Sequence, residues 1–146
     1  MDLVVGRPPT GVVELKFPRD PRVYNAADTM TVGELLKDFC RLAIAPFERR
    51  FAVQVLQGRL LKHLLGRRGK DVDWKVQQGQ ALWFDDATWR ALPKTAQTSM
   101  NVDRFQGSVT AGVVFRQAVG ELTLVVYEVA PVTGELRFRE RRQRRA

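Results

Sequence analysis

Hydrophobic and polar positions follow two rhythms along this chain. In GVVELKF (Gly11–Phe17), Val13, Leu15 and Phe17 alternate with Val12, Glu14 and Lys16, and a period of two predicts a half-buried strand. PRDPRVYNAAD reads as a loop with a short strand at Val23–Tyr24. TVGELLKDFCRLA changes to the helical rhythm. Thr31 is the expected N-cap, Glu34 stands at the capping-box position, and Val32, Leu35, Leu36, Phe39, Cys40 and Ala43 form the apolar stripe. Pro46 prevents continuation. RFAVQVLQG predicts a second strand with Phe51, Val53 and Val55 on one face. RLLKHLL carries a helical stripe (Leu60, Leu61, Leu64, Leu65) but is too short for periodicity to decide.

DVDWKV alternates again, with Val72, Trp74 and Val76 inward, and QQGQ is a turn. ALWF is apolar throughout, as in a strand covered on both sides. DDATWRAL predicts one or two helical turns, capped by Asp85 or Asp86 and stopped by Pro93, and KTAQTSMN reads as a polar loop. Three strands follow, at Ser108–Phe115, Glu121–Val129 and Glu135–Arg139, with APVTG expected to turn the last two into a hairpin. The order predicts an α+β domain over residues 1–140. It has mostly antiparallel strands, one main helix, a β-grasp-like N-terminal half and a C-terminal β-hairpin, with 141–146 as a basic tail.

Charge sharpens this picture. The 146 residues include 24 Lys and Arg against 16 Asp and Glu, a net charge of +8 and a pI near 10.4. Residues 137–146 hold six arginines and one acid, which is +5, so residues 1–136 carry 18 basic and 15 acidic groups, a surplus of only +3. The excess is concentrated, which is what recognition of phosphates requires. With 45% apolar residues there is enough material for a core. The opening residues have neither a basic segment nor an apolar run of signal-peptide type, and no apolar stretch is long enough to span a bilayer. The lone Cys40 allows no internal disulfide and fits a reducing cytoplasm.

Catalytic constellations are missing from the pattern. His63 is the only histidine and reads as a residue on a basic face; Cys40 falls on the apolar side of its helix. One Cys and one His have no zinc-type spacing, no phosphate loop or dinucleotide fingerprint occurs, and Asp85–Asp86 is better explained as a helix cap. The chain is therefore expected to be a non-enzyme that needs no metal or cofactor.

Binding chemistry is better represented. Arg49, Arg50, Arg59, Lys62, Arg67, Arg68 and Lys70 follow one another with no intervening acid. With the terminal Arg137, Arg139, Arg141 and Arg142 they suggest a phosphate track. Aromatics lie among further cations: Trp83 near Lys75, Trp89 beside Arg90, and Phe105 beside Arg104. Exposed aromatics next to cations form a platform for unpaired bases, whereas Trp74 is expected in the core. Arginines on the last strand would be held outward if Leu136 and Phe138 face the core. The reading is a single-stranded nucleic-acid-binding protein, with RNA also open as a partner. Its rival is a structural module of a phage or mobile element whose basic tail docks an acidic partner or genome. A small hydrolase comes last.

Three stretches, QQGQALWFDDATWRAL, MNVDRFQGSV and GELTLVVYEV with the basic strand after it, together resemble the DdrB-type single-stranded DNA-binding proteins of radiation-resistant bacteria. The resemblance covers most of the chain by pattern, with few identities, and RLLKHLLGRRGK has no counterpart. It implies a ring-like homo-oligomer, expected to be a pentamer, that binds single-stranded DNA and promotes annealing in repair. It implies DNA contacts at Gln80, Trp83, Arg104, Phe105 and the last-strand arginines.

Overall fold

The computed structural model describes residues 2–18, 25–66 and 71–140. Along the chain come β1 (Asp2–Val5), β2 (Gly11–Lys16), α1 (Asn25–Ile44), β3 (Arg49–Gln57) and α2 (Gly58–Leu65). They are followed by β4 (Ala81–Asp85), α3 (Asp86–Ala91), α4 (Lys94–Met100), β5 (Val102–Val119), β6 (Leu122–Val129) and β7 (Thr133–Phe138). All strands belong to one sheet, ordered β1-β2-β3-β6-β5-β4, with β7 also on β5. Only β2 and β3 are parallel, because α1 returns the chain between them. The α+β class with a mostly antiparallel sheet is as the hydropathy pattern predicts. The Val23–Tyr24 strand and the 141–146 tail lie outside the described residues.

A C-terminal hairpin is present, but its arms are β5 and β6, turning at Gly120. The last two strands do not pair with each other. They follow one another along β5, with Val129 opposite Ala111, Thr133 opposite Ser108 and Leu136 opposite Phe105. β5 is 18 residues long, enough to accept both in succession. Gly107 and Gly134 face each other where β7 joins, at φ of +134° and +100°. A Cβ on either would run into the backbone of the opposite strand.

The predicted helical stripe is buried as expected, Cys40 included. The helix begins at Asn25, however, so Thr31 is an interior residue and not an N-cap. A tertiary contact stabilises the extra turns: Asp28, in the first turn, is buried and holds Arg59 of α2. KTAQTSM is α4 and not a loop; Ala96 and Met100, four apart, are its buried pair. At Gly33 the absence of a side chain lets α1 approach the α4 backbone. Residues 71–76 keep their alternation, with Val72, Trp74 and Val76 buried, yet form no strand. The segment is fixed by side chains: Trp74 packs on Phe39 at 6.0 Å, and the Tyr127 hydroxyl donates to the Lys75 carbonyl at 2.6 Å. β4 is an edge strand, so ALWF is not covered on both sides: Leu82 and Phe84 are buried and Trp83 is 52% exposed.

The sheet covers its faces unexpectedly. The face beneath α1 carries Val12, Glu14, Arg50, Ala52, Gln54 and Leu56, all buried. The apolar sets singled out by alternation, Val13 and Leu15 on β2 and Phe51, Val53 and Val55 on β3, lie on the opposite face and stay half-buried or exposed. The register extends that face: Leu15, Val53, Val126 and Phe115 form one cross-strand row, with Val13–Phe51 and Val55–Leu124 on either side. A period of two says which residues share a face; the path of the crossing helix decides which face is covered.

Candidate nucleic-acid interface

The basic run from residue 49 to 70 does not form a continuous charged surface in the described structure. Arg49 and Arg50 are neighbours on β3 and so point to opposite faces. Arg49 lies outside, 5.0 Å from the Phe51 ring centroid, and donates to Glu128 of β6 at 2.8 Å. Arg50 is buried; its Nε donates to the Val129 carbonyl at 3.1 Å and its Nη1 to that of Ala45 at 3.4 Å. It braces the chain where α1 ends and β6 leaves the sheet, and is not a surface contact. Arg59 forms two bonds of 2.9 Å to the Asp28 carboxylate, with His63 Nδ1 3.9 Å from the same group. Lys62 is exposed, with no acid beside it among the described residues. Arg67, Arg68 and Lys70 lie outside the described residues. The acids that answer this run are distant in sequence, which is why charge counting along the chain missed them.

The aromatic candidates separate in the same way. Phe105 is a core residue, 1% exposed, because VDRFQG is part of β5 and not a loop. It stacks edge-on against Phe84 at 6.0 Å. Trp89 is half-buried against Phe105 at 6.2 Å, and its indole N–H has no acceptor. Trp83 is the exposed one, opposite Thr110 on the outer face of β4. Gln80 is exposed in the preceding turn, where its side-chain oxygen accepts from the Gln77 N–H. Lys75 pairs with Asp73 at 3.0 Å and Arg90 with Asp86 at 2.7 Å. Asp85 is the N-cap that the sequence predicts: the Thr88 N–H and hydroxyl both bond to its carboxylate and hold it below its ordinary pKa.

At the C-terminal strand, Leu136 is buried, Phe138 packs on the core, and Arg137 and Arg139 are exposed, as alternation predicts. Arg104 faces Glu135 at 3.2 Å and Arg137 faces Asp103 at 2.7 Å. Among the described residues Arg139 has no carboxylate within ion-pair distance, though Asp103 and Glu140 line a groove with it. Its backbone N–H is tied to the Asn101 carbonyl, at the left-handed residue closing α4. On one side it shares a groove of about 300 Å³ with Trp89, Lys94 and Gln97. On the other, a groove of about 280 Å³ joins it to Lys37 and Arg41 of α1. Lys37 and Lys94 were not candidates in the sequence, since each is an isolated cation on a different helix. Arg141 and Arg142, which continue the chain from here, lie outside the described residues.

Burial pushes the Cys40 thiol well above its usual range, and the described residues hold no cluster of metal-ligating side chains. Among the described residues no helix is long and apolar enough to cross a membrane. Set against protein-family models, curated proteins and solved structures, the chain matches none.

Proposed function

We propose that this chain is a non-enzymatic protein that binds single-stranded nucleic acid, with phosphates lying along the end of β7 and the groove beside α4. The observation that carries the reading is a contrast among cations. Arg49, Arg59, Arg90, Arg104 and Arg137 each face a carboxylate within hydrogen-bonding distance. Arg139, Lys37 and Lys94 face none among the described residues, and adjoining grooves bring them together. Cations left without acids keep their attraction for phosphate, whereas paired ones must first give up a partner. Four further arginines follow Glu140 in the sequence with no acid among them. Trp89 is among the residues that line the groove, and exposed Trp83 offers a stacking face. The preference for DNA, and a role in annealing during repair, rest on the resemblance to DdrB-type proteins.

The test is a titration of tryptophan fluorescence with a single-stranded oligonucleotide and with the matching duplex, at several salt concentrations. The wild-type chain should be quenched strongly by the single strand and weakly by the duplex. Arg139→Ala combined with Lys94→Ala should lower the slope of log K against log salt by about 1.4, about 0.7 for each lost phosphate contact. Equal affinity for duplex, or an unchanged slope, would refute the reading.

A further inference from the structure

We infer that the open face of the sheet, opposite α1, is an interface between two copies of this chain packed sheet to sheet. The inference is independent of nucleic-acid binding and rests on how residue types are divided between the two faces. The covered face buries Glu14, Arg50, Gln54 and Thr123 under the helices. The uncovered face is mainly valine, leucine and phenylalanine across β1, β2, β3, β6 and β5, with Gln57 and Gln117 toward one end and Arg49 and Glu128 toward the other. A sheet with one side in water puts its polar residues on that side. Here the arrangement is reversed: Val5, Leu15, Phe115 and Val119 are 40–63% exposed while a glutamine on the other face is 1% exposed.

The size of the face suits a second copy. Five strands about 4.8 Å apart, each contributing about six residues at about 3.3 Å, give a plan of roughly 500 Å². Side-chain relief brings the accessible area toward the roughly 800 Å² per partner of a stable interface. That is at the top of what a monomer ordinarily leaves bare, and two such faces would form the middle of a sandwich with a spacing of about 10 Å.

Charge selects the occupant. The chain carries +8, yet the charged groups set within the rows of this face are Arg49 and Glu128, which neutralise each other at 2.8 Å. A polyanion or an acidic protein therefore finds no free cation there. Two copies meeting at this neutral face keep their basic surfaces apart, and a two-fold axis lets Arg49 of each approach Glu128 of the other. The β-bulge at Val113/Phe115 serves the same face, since the added residue turns Phe115 into the row of Val126.

Sedimentation velocity of the full chain, from about 1 to 100 μM and without nucleic acid, tests this. The wild type should sediment with the mass of two chains. Val126→Lys at the centre of the face and Phe115→Lys at its margin should each sediment as monomers, with unchanged far-UV circular dichroism and association weakened at least 100-fold. If Val126→Lys does not fold, Phe115→Lys decides, because that side chain is already 42% exposed. A wild type that is monomeric throughout, including one that instead partitions onto lipid vesicles, overturns the inference. So does an assembly that the folded variants leave intact.

Discussion

Arg59 is the residue on which a charge-based and a structure-based reading diverge most. In the sequence it belongs to an acid-free basic run; in the fold it grips Asp28 through two hydrogen bonds of 2.9 Å. Replacing it with methionine keeps the aliphatic stem and removes the guanidinium. The cost follows from the asymmetry of the pair. Asp28 is 4% exposed, so the variant leaves a buried carboxylate without its bidentate partner, a change worth about 3–5 kcal/mol when both partners are buried. The Arg59 side chain is 47% exposed, and fully exposed pairs contribute only about 0–1 kcal/mol. An intermediate loss of about 2 kcal/mol is expected. With a urea dependence of about 1.5–2 kcal/mol per molar, the unfolding midpoint should fall by about 1 M. Asp28→Asn should cost less, because the half-exposed guanidinium it leaves can be solvated, and the double variant should cost no more than Arg59→Met alone, because both remove one interaction. Affinity for a single-stranded oligonucleotide should stay within about twofold of wild type, measured where both proteins are folded. An unchanged urea midpoint together with a tenfold loss of affinity would refute the reasoning and return Arg59 to the binding surface.

Two further outcomes follow from buried contacts. Burial, a hydrogen bond that the protonated group donates to Asp2, and the charge of Asp38 raise the Glu14 carboxyl from an ordinary 4.5 to about 7, so the folded chain holds a proton that the unfolded chain releases. Its contribution is complete below pH 4.5 and is lost as pH rises through 7, so thermal stability should decline across that window by up to about 2–3 kcal/mol. Glu14→Gln should flatten that part of a melting-temperature profile, and a variant profile parallel to wild type would remove Glu14 as the cause. Gly107→Ala should cost at least about 2 kcal/mol in urea unfolding, through both its positive φ and the collision with the Thr133 carbonyl; a loss under 0.5 kcal/mol would show that β7 can shift away from β5.

Much of the local structure was legible in the residues. The stripe from Val32 to Ala43, the Asp85 cap and the outward Arg137 and Arg139 follow from spacing and capping chemistry that operate within a few residues. The long β5 was only half visible, because DRFQG looks like a polar loop until Leu136 covers Phe105 and Asp103 meets Arg137. α4 was missed because two buried residues in a polar heptapeptide make too weak a periodic signal. At the candidate interface the sequence displayed the terminal arginines but not Lys37 and Lys94, which reach Arg139 only after α1 and α4 pack together.

The sequence by itself determined which positions pair into faces, where the main apolar helix lies, and that positive charge gathers at the C-terminal end. The tertiary structure alone decided which sheet face α1 covers, which arginines meet acids and which remain available to phosphate. The physical reason is range. Side-chain periodicity and capping act over a few residues, whereas an ion pair such as Arg49–Glu128 joins residues 79 apart, and its existence depends on the order in which strands assemble. A basic run is therefore only a supply of charge, and the fold determines how much of it is neutralised before any partner arrives.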